Sequence, residues 1–312
     1  MTGKSTTPKE RTHSDVSHAE TWTTRKLLKW MTDHFSSKTV DSPRVVAEML
    51  LSHVIDCDRM RLYMEADRPA SAVELATLRG LVKRAAEHEP VQYLVGHAWF
   101  FGKQFAVDRS TLIPRPSTET LVEYVIRWLK LNPGHANPLI ADIGTGTGCM
   151  AISLALAIPY SIVHATDIAP EALKLACANA ERHGVADRVE FREGSLVAPL
   201  RDKTPGARYH VIASNPPYIP DHEWDAVERN VKEHEPARAL RGGRDGLDVI
   251  RPLIAEAPGM LVQGGLLVIE IADCQRDAAT ELARKTGQFT DIDVLKDHEG
   301  LWRVLTAVHA QQ

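Results

Sequence analysis

Three glycines at alternate positions, Gly144, Gly146 and Gly148, separate the apolar run Leu139-Ile140-Ala141-Asp142-Ile143 from a stretch of helical character through Ala151 to Ala157. Glycine lets the backbone approach a ligand closely and take torsions closed to other residues. A glycine turn between a buried strand and a helix opens a β–α–β unit, and the chain that follows keeps that rhythm. Ser161 to Ala165 reads as a second strand ending at Thr166-Asp167. Pro170 starts a helix through Leu173, Leu175 and Ala176, which Gly184 ends. Val189-Glu190-Phe191 is a third strand and Tyr209 to Ala213 a fourth. A loop rich in charge and glycine, Asp221 to Gly246, precedes a helix around Leu247 to Leu261. Gly264-Gly265 introduces a strand, Leu266 to Ile271, followed by a helix from about Arg276 to Lys285. Phe289 to Leu295 and Leu301 to Val308 close the sheet as an antiparallel pair. The expected class is α/β, with a Rossmann-like, mostly parallel seven-stranded sheet.

Open sheets of this kind bind ligands beyond the carboxyl ends of their strands, so the residues there carry the functional argument. Asp167 ends the second strand about twenty residues after the glycine loop, where an acidic side chain binds ribose hydroxyls. The alternative is a helix cap ahead of Pro170. Ser195 and Leu196, after the third strand, stand at the same carboxyl edge of the sheet. Both are also ordinary loop residues. Dinucleotide sites favour G-x-G-x-x-G, which seats a pyrophosphate at the helix N-terminus, whereas Gly144-Thr145-Gly146-Thr147-Gly148 is G-x-G-x-G.

After the fourth strand stands Ser214-Asn215-Pro216-Pro217-Tyr218. Neither proline can donate to the ladder, so the strand ends there and the turn is stiff. The Asn215 side chain and nearby carbonyls then form a rigid array of acceptors beside an aromatic ring. Such an array suits a planar NH2 group, whose nitrogen is a poor nucleophile because its lone pair is delocalised. Acceptors on both N–H bonds orient it and offset the positive charge that grows on nitrogen, and Tyr218 can hold the flat group by stacking. A strand-ending turn with a capping asparagine is the plainer reading.

The 312 residues suit two domains, and 44% hydrophobic and 25% charged residues are an ordinary balance for a soluble chain. A net charge of -4 gives no sign of a strongly basic nucleic-acid-binding surface. Cys57, Cys149, Cys177 and Cys274 are far apart, without metal or redox spacing, and read as buried thiols in a reducing compartment. No apolar run reaches the ~18 residues of a membrane span, and residues 1–20 lack the core of a secretory signal. A cytoplasmic location follows, with 1–20 as a disordered tail.

Residues 21–90 read as a helical domain. Leu28, Met31 and Phe35 share one helix face, and Val46, Met49, Leu50 and His53 another. Ser42 is expected to cap a helix begun by Pro43, and Ser71 with Glu74 forms a capping box. Substrate docking and packing are equally open roles for this domain. Residues 91–115 then change period. Tyr93 to Val95 and Trp99 to Phe101 look like strands, and Gly102-Lys103 suits a type II′ hairpin turn leading into Gln104 to Val107. This hairpin is expected to link the helical domain to a catalytic domain over 116–312. In Ile113-Pro114-Arg115-Pro116-Ser117, the prolines hold the chain extended and Ser117 can cap the next helix. Arg115 is either a ligand of a carboxylate or carbonyl near the site, or a solvated loop arginine.

The G-x-G-x-G loop together with Asn-Pro-Pro-Tyr resembles the class I S-adenosyl-L-methionine-dependent methyltransferases. Further stretches narrow the likeness: Glu89-Pro90-Val91-Gln92-Tyr93-Leu94-Val95-Gly96, the Trp99 to Val107 hairpin, Leu112 to Val122, and Glu235-Pro236 with Ala239-Leu240. With these, the chain from Trp22 onward resembles the protein-glutamine N5-methyltransferases that modify class I peptide-chain release factors. The resemblance implies methyl transfer from S-adenosyl-L-methionine to the side-chain nitrogen of the glutamine in a Gly-Gly-Gln motif. It implies acceptor roles for Asn215 and the Pro216 carbonyl, packing by Pro217 and Tyr218, and a substrate contact by Arg115. Cofactor contacts would come from Gly144, Thr145, Gly146, Thr147, Gly148, Asp167, Ser195, Leu196 and Asn215. No metal, membrane or direct nucleic-acid partner is expected, and the enzyme is expected to be a monomer. Ser117 and Ser195 stand where the family usually carries acidic residues. Ala98-Trp99-Phe100 is similar to the sister enzyme acting on a large-subunit ribosomal protein, the alternative substrate. A nucleic-acid adenine N6-methyltransferase and a catalytically silent cofactor-binding module are more distant alternatives.

Overall fold

The computed structural model describes residues 21–134 and 137–311. The tail expected over 1–20 lies outside the described residues. The chain divides into two compact units, Met1–Ala86 and Glu87–Gln312.

The first unit contains the helices Thr24–Ser37, Pro43–Ile55, Arg59–Met64 and Ala72–Ala86. Apolar residues three and four apart bury one stripe of each: Leu27, Leu28, Met31 and Phe35 on the first, and Leu78, Val82 and Ala85 on the last. The Ser71–Glu74 capping box is present, with the Glu74 N–H donating to Ser71 Oγ at 3.2 Å and the Ser71 N–H to Glu74 Oε2 at 2.7 Å. Two expectations fail here. Ser42 precedes Pro43 but makes no side-chain cap bond, because its left-handed backbone (φ 48°) turns its hydroxyl toward Asp41. His53 lies on the exposed side of its helix.

In the second unit β1 (His97–Phe100) and β2 (Lys103–Ala106) form a hairpin. The large sheet comprises β3 (Leu139–Ile143), β4 (Ile162–Asp167), β5 (Val189–Glu193), β6 (Tyr209–Ser214), β7 (Leu261–Glu270), β8 (Phe289–Lys296) and β9 (Trp302–His309). Its spatial order is β5-β4-β3-β6-β7-β9-β8. The strands β5 to β7 are parallel, and β9 is antiparallel to both β7 and β8. Alternate side chains feed two cores. Ile140 packs with Leu121, Val125 and Ile152 on one face, while Ala141 and Ile143 pack with Leu200, Leu253 and Ala279 on the other. The chain runs outward from β3 through β4 to β5, then returns to lay β6 on the opposite side of β3. That reversal is the topological switch point, where a crevice opens beyond the strand ends.

Local departures have local causes. Tyr93 to Val95 belong to a short helix, Val91–Val95, which buries Val91, Leu94 and Val95 at helical spacing. The hairpin pairs Phe100 with Lys103, so its loop is Phe101-Gly102, with φ of 50° and 69°. Positive φ at both positions makes a type I′ turn and not type II′. Nor is the hairpin a free linker. Phe100 and Phe105 are buried in the core of the second unit. The Asn179 carboxamide clips Ala106, accepting from its N–H at 2.8 Å and donating to its carbonyl at 3.1 Å. β7 starts at Leu261, ahead of Gly264-Gly265, and the preceding helix is Ile250–Glu256. No helix among the described residues is long and apolar enough to cross a membrane.

Candidate active site

A cavity of about 420 Å³ lies at the switch point, a size suited to a small-molecule ligand. Gly144 to Thr147, Asp167, Ser195 and Leu196 line one side. Asn215, Pro216, Pro217, Arg115 and Thr118 line the other. The sheet register brings the two sides together: β3 and β6 pair Ile143 with Ser214, so the residues that follow are neighbours. A Cβ placed on Gly144 would stand 4.0 Å from the Asn215 carbonyl oxygen.

The glycine loop is held by acids. The Gly144 and Thr145 N–H groups donate to the Thr166 carbonyl at 2.8 and 2.9 Å. The Gly146 N–H donates to Asp167 Oδ2 and the Ala169 N–H to Asp167 Oδ1, both at 2.9 Å. Each carboxylate oxygen has two lone pairs, so Asp167 keeps capacity for a diol. Below the bend, Asp142 Oδ2 accepts from the Thr145 hydroxyl at 2.7 Å and the Ala151 N–H at 3.2 Å. Asp142 Oδ1 is buried without a partner among the described residues. Burial pushes the Asp142 carboxyl up to about 7, against the pull of those two donors. A phosphate would meet the Asp167 carboxylate here, and the Gly146 N–H is already taken. A ligand with ribose hydroxyls and positive charge matches Asp167, as S-adenosylmethionine does. Leu196 holds a left-handed backbone (φ 51°), fastened by the Thr166 hydroxyl donating to its carbonyl at 3.1 Å. One expected cofactor residue is displaced. Gly148 does not line the cavity; its φ is +80°, and a Cβ there would lie 3.1 Å from that of Ala176, so it serves helix–helix contact.

On the other side the ladder ends at Ser214, whose hydroxyl donates to the Ile143 carbonyl at 2.7 Å. Asn215 Nδ2 donates to Thr118 Oγ1 at 3.0 Å. Thr118 Oγ1 donates to Glu270 Oε2 at 2.6 Å. The hydroxyls of Ser117 and Tyr218 each donate to Glu270 Oε1 at 3.2 Å. Glu270 is fully buried, which raises its pKa against the opposing pull of Thr118, Arg303, Ser117 and Tyr218. Among the described residues no backbone donor is bonded to the Pro216 carbonyl. Behind the turn, Gln275 Nε2 donates to the Tyr218 carbonyl at 2.8 Å and the Asp245 carbonyl at 3.2 Å. Gly246 packs so closely that a Cβ would fall 2.2 Å from the Tyr218 carbonyl oxygen.

Two expectations change. Tyr218 does not line the main cavity; it borders an adjoining pocket of about 30 Å³ with Asn215, Leu112 and Arg115, its hydroxyl tethered to Glu270. Ser117 does not cap its helix, Pro116–Leu131, where the cap position is Arg115. Arg115 lines the cavity but is paired, its guanidinium donating to buried Glu235 at 2.5 Å, while the other Glu235 oxygen accepts from the Ile113 N–H at 3.0 Å. Sequence reasoning missed Thr118, Glu270 and Gln275. The available signal for Glu270 was a lone carboxylate ending the apolar run Leu266-Leu267-Val268-Ile269, at the carboxyl end of a strand.

Residues 26–96 match the PrmC N-terminal domain and residues 125–241 the methyltransferase small domain. The chain is 42% identical to a release factor glutamine methyltransferase of Geobacter sulfurreducens, over 92% of this chain and 96% of that protein. It is 37% identical to the protein of the same description from Chlorobaculum tepidum, over 92% of this chain and 97% of that protein. Among solved structures, it is similar to the hMettl16 catalytic domain in complex with MAT2A 3'UTR hairpin 6, with a TM-score of 0.51. That likeness is 15% identical, covers 78% of this chain and 84% of the other, and speaks for the fold alone. The fold is that of the class I methyltransferases, with a helical N-terminal unit.

Proposed function

The chain belongs to the release factor glutamine methyltransferase family, and from that premise we propose that it methylates the side-chain nitrogen, N5, of the glutamine in the Gly-Gly-Gln motif of class I peptide-chain release factors. It is an S-adenosylmethionine-dependent methyltransferase. When bound, that cofactor supplies an electrophilic methyl group on a sulfonium sulfur. Asp167 accepts the ribose hydroxyls, Ser195 and Leu196 border the adenine, and the Gly144 to Thr147 bend lets the rest approach the backbone. Asn215 Oδ1 and the Pro216 carbonyl accept the two N–H bonds of the substrate carboxamide. Amide resonance spreads the nitrogen lone pair, and acceptors on both N–H bonds favour the state in which nitrogen carries positive charge. They also aim the nitrogen, holding it in a near-attack geometry. Pro217 and Tyr218, whose hydroxyl is tethered to Glu270, keep the turn stiff. The proton leaves nitrogen after transfer, when the methylated amide is strongly acidic, so no base has to act earlier.

The observation that carries this reading is the convergence of Asn215 and the glycine bend on one cavity, one strand apart. The names of the relatives favour a release factor over the ribosomal-protein alternative. The test is mass spectrometry of purified, unmodified release factor after incubation with enzyme and S-adenosylmethionine. One added methyl on the Gly-Gly-Gln glutamine is expected. No addition by enzyme shown calorimetrically to bind the cofactor would refute the substrate.

A further inference from the structure

An asparagine can turn either end of its carboxamide to a substrate, and the two ends are nearly the same shape. The reaction proposed above needs oxygen there, so something must set the direction. We propose that buried Glu270, acting through the Thr118 hydroxyl, is a positioning residue that fixes the Asn215 carboxamide with Oδ1 toward the substrate. This inference rests on the proposed acceptor role of Asn215.

Thr118 has too few protons to serve both of its neighbours as a donor. A hydroxyl has one proton to give and two lone pairs. Thr118 Oγ1 gives its proton to Glu270 Oε2 at 2.6 Å. Its remaining capacity is acceptance only, so the group 3.0 Å away must be a donor. Of the two ends of Asn215, only Nδ2 donates. Oδ1 therefore points away from Thr118. An acid proton on Oε1, which faces the Ser117 and Tyr218 hydroxyls at 3.2 Å, still leaves Oε2 to accept from Thr118. Only a proton on Oε2 would reverse the chain, so the orientation requires Oε2 to be the acceptor of the 2.6 Å bond. The same carboxylate thus sets Asn215 on one side and ties down the Tyr218 ring on the other. Removing the acceptor at position 270 frees the Thr118 proton. Thr118 could then donate to Asn215 Oδ1 and swing Nδ2 toward the substrate NH2, two donors face to face.

The test uses the full-length enzyme with Thr118→Val, which keeps the shape without the hydroxyl, and Thr118→Ser, which restores the hydroxyl. Glu270→Leu is the second site. Thr118→Val and Glu270→Leu should each lower kcat about 10- to 100-fold, the scale of losing one directed polar contact. KM for release factor and the affinity for S-adenosylmethionine should stay within about threefold, as the cavity shape and cofactor contacts are retained. Thr118→Ser should recover kcat to within about threefold. In ¹⁵N-labelled protein, the Asn215 Nδ2 protons should show slow exchange in wild type and Thr118→Ser, and fast exchange in the other two. Wild-type kcat in Thr118→Val, or unchanged Nδ2 exchange, overturns the proposal. If wild-type enzyme leaves release factor unmethylated, the substrate reading fails instead, and Nδ2 exchange still decides the orientation.

Discussion

Asp142 is the most informative group to perturb, because burial is the largest influence on it and outweighs the two donors that oppose it. Its carboxyl is wholly enclosed beneath the glycine bend, with one oxygen on the Thr145 hydroxyl and the Ala151 N–H and the other unpartnered. Burial holds it protonated up to about pH 7, whereas an ordinary aspartate titrates near 3.8. The folded pKa is therefore raised. Below the unfolded value both states carry the proton, and the contribution to stability is fully present. Between about 4 and 7 the unfolded chain releases a proton that the folded chain keeps, so stability falls with rising pH. Above about 7 both are ionised and the loss is complete. The gap between 3.8 and about 7, at about 1.4 kcal/mol per pH unit, amounts to about 4 kcal/mol. Asp142→Asn keeps the shape and removes the titration. Urea denaturation of cofactor-free wild type and variant, at half-unit steps from pH 4 to 8.5, isolates the term as their difference. The wild-type curve should fall relative to the variant by a few kcal/mol, with its midpoint below pH 7. Parallel curves would refute the claim that an enclosed, half-satisfied carboxyl underlies the bend.

Asn215→Ala should lower kcat about 100- to 1,000-fold while calorimetric affinity for S-adenosylmethionine holds within a few-fold; a matching loss of affinity would move Asn215 to the cofactor side. Asp167→Ala removes the acceptor for the Gly146 and Ala169 N–H groups as well as the diol partner. Cofactor affinity should fall by about 100-fold or more, on the scale of a lost charge-assisted bond with two backbone donors left unpaired. Arg115→Met strands a Glu235 carboxylate that is buried and then, among the described residues, keeps the Ile113 N–H as its donor. Removing one partner of a buried pair costs about 3 kcal/mol, less here because Arg115 is partly exposed, and chemical denaturation should find a drop of 1 to 3 kcal/mol.

The sheet and its ligand-binding edge were legible because both rest on short-range signals. Strand, glycine turn and helix follow within twenty residues, and Pro216-Pro217 marks a strand end by removing two donors. The support of the site was not legible, because it crosses the chain. Thr118 and Glu270 meet at a separation of 152 residues, and Arg115 and Glu235 at 120. Neither position has a local pattern that separates it from an ordinary helix threonine or strand-end acid. Gly148 looked like its two neighbours in the loop, yet the helix carrying Ala176 is what confines it. The hairpin loop was misplaced by one residue because Phe101 takes a torsion unfavourable to an aromatic residue. That torsion is held by Glu119 Oε1, which accepts from the Phe101 N–H at 2.7 Å. At Gly148 and at the hairpin loop a tertiary contact overrides a sound local preference.

The same network explains why an amide stands at position 215 when a carboxylate would offer two acceptors. An aspartate there would need a proton from Thr118, which Glu270 already holds at 2.6 Å. Two carboxylates would compete for one hydroxyl proton across a buried gap, and one of them would have to take up a proton of its own. A protonated carboxyl at 215 would satisfy Thr118 only by turning its acid proton there, an arrangement that lasts only while the acid stays neutral. A neutral carboxamide escapes the conflict because it satisfies Thr118 with nitrogen and keeps its oxygen free. It also leaves the negative charge of the cavity on the cofactor side, at Asp167, where an approaching cation meets it. The guanidinium that could oppose that field, Arg115, is neutralised by Glu235. In the proposed reading, the site attracts a cationic methyl donor along one wall and offers uncharged oxygen to a neutral amide along the other. This division follows from where the protons sit in the chain Asn215, Thr118, Glu270.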